Sequence, residues 1–175
     1  VLKPDTSLLD ERSKPGEGAK DWDKALLGLS FLCTLAMYVV AGLDSGRFHW
    51  SPEFNAMAYA SGIALTIAGQ LLFLVAQKQN RFFSSTVRIQ KDRDHAVCDT
   101  GLYKTIRHPA YLGSILQLSG FPLIFGSLWS IIPAGMLIIL HVTRTRLEDE
   151  TLQKELAGYS EYALKTRYRI IPFVW

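Results

Sequence analysis

Charge is missing from most of the middle of this chain. Residues 25–43, 54–77 and 110–143 contain no Asp, Glu, Lys or Arg. A soluble globule interleaves apolar and charged residues at helical or strand period. Here 49% of residues are hydrophobic and 20% are charged, yet the two sets occupy separate blocks. That segregation points to a multi-pass membrane protein. Cysteine is also scarce. Of the two present, Cys33 lies in an apolar run and Cys98 in a charged loop, which argues against a disulfide and against a CxxC metal site. A strong basic excess is absent: the net charge is +3, and no Lys/Arg-rich run interleaves with aromatics, so nucleic acid is not an expected partner. The four histidines, His49, His95, His108 and His141, show no metal-ligand spacing, so no metal is expected. No signal peptide is visible after Val1, and spans upstream of it stay open.

The apolar blocks have membrane dimensions. "ALLGLSFLCTLAMYVVAGL" (25–43) is nineteen uncharged residues, close to the roughly 20 that a spanning helix needs. Residues 54–77 form a second run, rich in Ala, Gly and Ser, which allow close helix approach in lipid. Residues 110–143 are too long for one ordinary span, since 34 residues rise about 51 Å against a core of about 30 Å. Gly120, Pro122, Gly126 and Ser127 interrupt that run, which reads as a helical hairpin of 110–126 and 127–143, the second arm running on toward residue 148. Around these lie a polar segment 1–24 with a short helix near Ser7–Arg12, a turn at 44–53, a loop at 80–108, and a charged helix from 144 to about 164 with an apolar tail, "YRIIPFVW". The expected division is therefore 1–24 N-terminal segment, 25–79 two transmembrane helices, and 80–175 a third region of loop, hairpin, charged helix and tail.

Lys and Arg set the expected orientation. Segment 1–24 carries five, loop 80–108 six and the tail from 144 six, whereas 44–53 carries only Arg47. Four spans place all three basic segments on the cytosolic side. The expected fold is all-α: a multi-pass transmembrane helical protein with about four spans, a short C-terminal hairpin and a polar pocket on the cytosolic side.

A hairpin brings its own ends together. "RHPAY" (107–111) should therefore neighbour "RTRLEDE" (144–150) at the lipid boundary. Pro109 suits the first turn of a helix, with His108 at its cap, and that turn offers free N–H groups to an anion. Arg144 and Glu148 share a helix face at i,i+4, able to pair with each other or to grip a ligand. Lys104 and Arg107 read as orientation anchors, Arg146 as a snorkelling anchor, and Asp149 and Glu150 as a solvated helix face.

"GLYKTIRHPAYLG", a hydrophobic hairpin, "RTRLEDETL", "GYSEY" and "YRIIPFVW" together resemble the isoprenylcysteine carboxyl methyltransferase family, which groups with phospholipid methyltransferases. The resemblance covers about residues 84–175. It implies an integral-membrane enzyme that uses S-adenosylmethionine, releases S-adenosylhomocysteine, and methylates a lipophilic or lipidated acceptor in the bilayer. By position it implies cofactor contacts at Gln90, His95, Ala96, Val97, Cys98, Tyr103, His108, Pro109, Ala110, Tyr111 and Glu148, with Arg144 on the acceptor carboxylate. The stretch between Gln90 and His95 is shorter than in the eukaryotic enzymes. The loops and tail suggest a bacterial inner membrane. Competing readings are a nicotinamide-dependent reductase of the sterol type, a methyltransferase for phospholipids or other lipids, and a non-catalytic membrane partner. Oligomeric state is not legible.

Overall fold

The computed structural model describes residues 18–175, and the helix expected near Ser7–Arg12 lies outside them. The described residues are all-helical, with α1 (Asp21–Ala41), α2 (Ala56–Gln79), α3 (Pro109–Phe125), α4 (Ile131–Glu155) and α5 (Tyr159–Lys165).

Helix α1 starts with Asp21 and Asp23 in its first turn, where carboxylates favour the helix dipole. The chain does not enter a loop at 44. It widens into a π-helix, Gly42–Phe48, which ends at His49 in the left-handed region, φ 52°. The wider turn brings the Asp44 carboxylate inward, where Ser51 N and Ser51 Oγ donate to it at 2.7 and 2.6 Å. Ser127 Oγ donates to the same carboxylate, so this turn is tied to the α3–α4 hairpin tip. Helix α2 starts at Asn55, whose side chain accepts from Ala58 N at 2.9 Å.

Helices α2 and α3 run antiparallel and meet backbone to backbone. Gly62 faces Gly120, and Gly69 faces Gly113; a Cβ on Gly69 would stand 2.5 Å from Gly113 O, and one on Gly120 2.6 Å from Gly62 O. Gly120 therefore serves packing and does not break the hairpin. Pro122 also lies inside α3, which continues to Phe125. The turn comes at Gly126, φ 61°, whose N–H closes on Leu123 O, while Ser127 N closes on Pro122 O.

Helix α4 has 25 residues, about 37 Å long. Its apolar half packs with α1 and α3 through Cys33, Met37, Leu118, Ala134 and Leu137. Its charged half passes under the loops and stops at Glu155. A turn through Gly158, φ 80°, leads into α5. Two further apolar clusters hold the loops: Ala76, Tyr103 and Ala110 beside α2 and α3, and Leu156, Tyr159 and Tyr162 beside Ile89 and Val97.

By length and composition, two helical stretches among the described residues can cross a membrane: Asp21–Phe48 and Ala56–Gln79; α3 is a shorter apolar helix. Their outer faces expose Phe31, Leu32, Met57, Ile67 and Leu71, and α4 adds Ile132 and Ile139. Exposed apolar side chains in this number suit helices that face lipid.

Candidate active site

Where the apolar helices give way to the loops there is a cavity of about 480 Å³, within the usual range for small-molecule sites. Its walls come from the C-terminal end of α2 (Phe73, Gln77), loop 82–98, the start of α3, and one face of α4 from His141 to Leu156.

Helix α3 starts at His108 with Pro109 in its first turn, as the sequence suggests. In that first turn Tyr111 N and Leu112 N donate to His108 O at 3.2 and 3.4 Å. Just upstream, Arg107 N and His108 N donate to Tyr168 O and Arg169 O at 2.9 and 2.8 Å, so the tail clamps this turn. Across the cavity Tyr111 donates to Glu148 Oε2 at 2.6 Å. Arg144 and Glu148 do not pair with each other. Arg144 Nε donates to Asp23 Oδ1 at 2.6 Å, its Nη2 donates to Asp23 Oδ2 at 3.2 Å and to Ser85 O at 2.8 Å, and its guanidinium lies 5.7 Å over the Tyr111 ring. His141 Nδ1 donates to Leu137 O at 2.9 Å, since a carbonyl can only accept.

The other predicted residues divide. Ala96, Val97, Cys98, Tyr103, His108 and Ala110 line the cavity with His95. His95 packs on Phe82, ring centroids 4.6 Å apart, and its Nδ1 accepts from Gln90 N at 3.3 Å. Burial, helped by the charges of Arg88 and Arg93, pushes the His95 imidazole down to about 4. Tyr103 donates to Ala76 O at 3.3 Å, and burial pushes its phenol up. Pro109 and Gln90 stand behind the wall. Gln90 is fully buried, donates to Phe82 O at 2.7 Å and accepts from Arg93 at 2.7 Å, so it braces the loop.

Two readings need correction. Arg107 is not an orientation anchor, and Asp149 is not on a solvated face; they are 6% and 0% exposed. Arg107 Nε and Nη2 donate to the two Asp149 oxygens at 2.7 and 2.9 Å. Arg169 Nε and Tyr159 OH each donate to Asp149 at 2.9 Å, Gln153 donates at 2.8 Å, and His108 Nε2 lies 3.2 Å away. Burial raises the Asp149 carboxyl, but hydrogen bonds from His108 and Arg107 outweigh it and hold the group well below the usual carboxylate range. Burial, and Asp149 beside it, push the Tyr159 phenol well up. Glu150 does lie on the solvated face, accepting from Arg146 Nε at 2.9 Å.

A family profile described as the isoprenylcysteine carboxyl methyltransferase family matches residues 60–154, more than half of the chain. The chain belongs to that family. It is also 29% identical over 139 residues to the protein-S-isoprenylcysteine O-methyltransferase of Saccharomyces cerevisiae, an alignment covering 70% of this chain and 56% of the yeast protein. The chain thus spans little more than half the length of that relative. The matched region of this family member holds every predicted site residue from Gln90 to Glu148 but leaves out Asp23, Tyr159 and Arg169, which complete the site's surroundings. Asp149 was legible in one way. The buried face of α4 passes through Ala134, Leu137 and Thr145, and the same period continues to Asp149. Asp23 had no such signal, because its partner is 121 residues away.

Proposed function

We propose that this protein methylates the carboxylate of a lipophilic, isoprenylcysteine-like acceptor with S-adenosylmethionine as donor. In this reading it crosses the bilayer four times and opens its cavity to the cytosol. The observation that carries the reading is one cavity wall. Glu148, bonded to Tyr111, and Arg144, bonded to Asp23, stand one helical turn apart where membrane-length helices meet the loops.

The cavity's chemistry fits the donor. A carboxylate, Glu148, stands beside apolar Val97, Leu152 and Leu156, and no described residue donates to its second oxygen. Glu148 suits the amino group or ribose hydroxyls, and the apolar patch suits adenine. When bound, the donor supplies an electrophilic methyl carbon. The chain's task is then alignment. Phe73, Ser114 and His141 leave room beside Arg144 for the lipid part of the acceptor, which arrives sideways from the bilayer. Holding reactants in a near-attack pose can be worth roughly 7–11 kcal/mol of barrier. No general base is needed, because a carboxylate is already the nucleophile.

Glu148→Ala should abolish S-adenosylhomocysteine binding in calorimetry. Arg144→Ala should keep that binding and lose at least about tenfold in kcat/KM for the acceptor. Equal loss of donor affinity in both variants would refute this division. Stabilisation of the wild type by a nicotinamide dinucleotide, with none by S-adenosylhomocysteine, would replace the reading with a sterol-type reductase.

A further inference from the structure

An arginine that receives a substrate carboxylate ordinarily offers its fork, two parallel N–H bonds to two oxygens. In this protein the fork of Arg144 is already taken. Its Nε and Nη2 hold the two Asp23 oxygens, and the remaining Nη2 hydrogen goes to Ser85 O. Among the described residues none accepts from Nη1, and Arg144 borders the cavity. Asp23 is fixed in place: it is 0% exposed and also accepts from Val87 N at 2.8 Å. Pulling it away would strand a buried carboxylate, which costs more than a new ion pair returns.

We infer that Asp23 is a positioning residue for the acceptor side of the site: by keeping the fork of Arg144, it leaves the acceptor carboxylate Nη1 alone and so keeps one acceptor oxygen uncovered. The inference rests on the carboxyl-methylation reading above. A carboxylate gripped by a full fork presents both oxygens to N–H groups and loses nucleophilicity. One held at a single point keeps a free lone pair on its second oxygen. That lone pair forms the new O–CH3 bond as the S–CH3 bond breaks and its electrons pass to sulfur, giving a neutral ester and a neutral thioether with no proton moved. Asp23 serves release as well. When the acceptor's charge disappears, Arg144 still has its counter-charge and is not left as a lone buried cation.

The test separates affinity from turnover. Asp23→Asn keeps an acceptor for Val87 N and removes the charge. With S-adenosylhomocysteine present, an S-prenylated N-acetylcysteine should bind this variant several-fold tighter than wild type, on the order of tenfold, while kcat falls about tenfold and S-adenosylhomocysteine affinity stays unchanged. A bracing role alone cannot raise acid affinity. Unchanged or weaker binding of the acid, or a kcat that does not fall, overturns the inference. A wild-type measurement covers the case of a variant that does not fold. The 15N resonance of Arg144 Nε, identified by its loss in Arg144→Lys, should stay in place when the acid binds, and its movement to the position of an unpaired arginine would mean that Asp23 is displaced. If wild type binds S-adenosylhomocysteine but no lipophilic acid, the carboxyl-methylation reading fails, and this inference falls with it.

Discussion

Glu148 and Asp149 are adjacent carboxylates with opposite surroundings. One helical step separates a side chain on the cavity wall from one that is fully enclosed by Arg107, His108, Tyr159, Arg169 and Gln153. Glu148 keeps room for a ligand, whereas Asp149 spends its lone pairs on the protein and holds its ion pairs where water cannot compete. His95 is a third residue whose surroundings set its behaviour. Its imidazole is held down to about 4, below its ordinary value of about 6.5. Between those values the unfolded chain binds the extra proton and the folded chain does not. This contribution to stability is complete above about pH 6.5 and is lost as pH falls toward 4. An NMR titration should therefore show His95 neutral at pH 5.5. A midpoint near 6.5 would contradict this burial.

At the scale of elements, the α2–α3 seam has no side chains between the two backbones at four positions. Gly69→Ala places a Cβ against Gly113 O and should destabilise the protein by about 1–3 kcal/mol in a reversible micellar unfolding assay. Gly28 and Gly135 have nothing within 4 Å of an added Cβ. Changing either to Ala should be neutral or stabilise by up to about 1 kcal/mol. Equal effects at all three positions would remove the seam as an explanation. Hydrophobic blocks made α1, α2 and the hairpin legible in the sequence, because lipid-facing helices must be apolar throughout. The small-residue bias of 54–77 also announced close packing. The roles of Gly120 and Pro122 were hidden, since a glycine that packs and one that ends a helix read alike. The π-turn was hidden too, because the contact it makes, Ser127 to Asp44, joins residues 83 apart.

Across the whole molecule, the cavity and the aromatic cluster of Phe48, Trp50 and Trp129 lie at opposite ends of the helices. The aromatic cluster suits an interface, and the Lys/Arg bias supports the proposed orientation. On a background without the natural cysteines, Lys104→Cys should react with an impermeant maleimide only from the cytosolic face, and Arg47→Cys only from the other. Labelling of both from one side would sink the four-span arrangement. The neighbourhood of "RHPAY" and "RTRLEDE" was legible from the hairpin alone. The contributions of Asp23 and Arg169 were not, because each reaches its partner from a segment far along the chain, 121 residues from Arg144 for Asp23 and 20 from Asp149 for Arg169.

The glycine seam has a mechanical consequence. Two backbones pressed together without intervening side chains have no rotamers to yield, so α2 and α3 move as one stiff spine. Helices α1 and α4 meet differently, through Met37, Leu137 and other side chains, with the Arg144–Asp23 pair at the cavity end. Side chains can repack and let a gap widen. If the proposed acceptor enters from the bilayer, the α1–α4 side is the one that yields, with the spine as its hinge post.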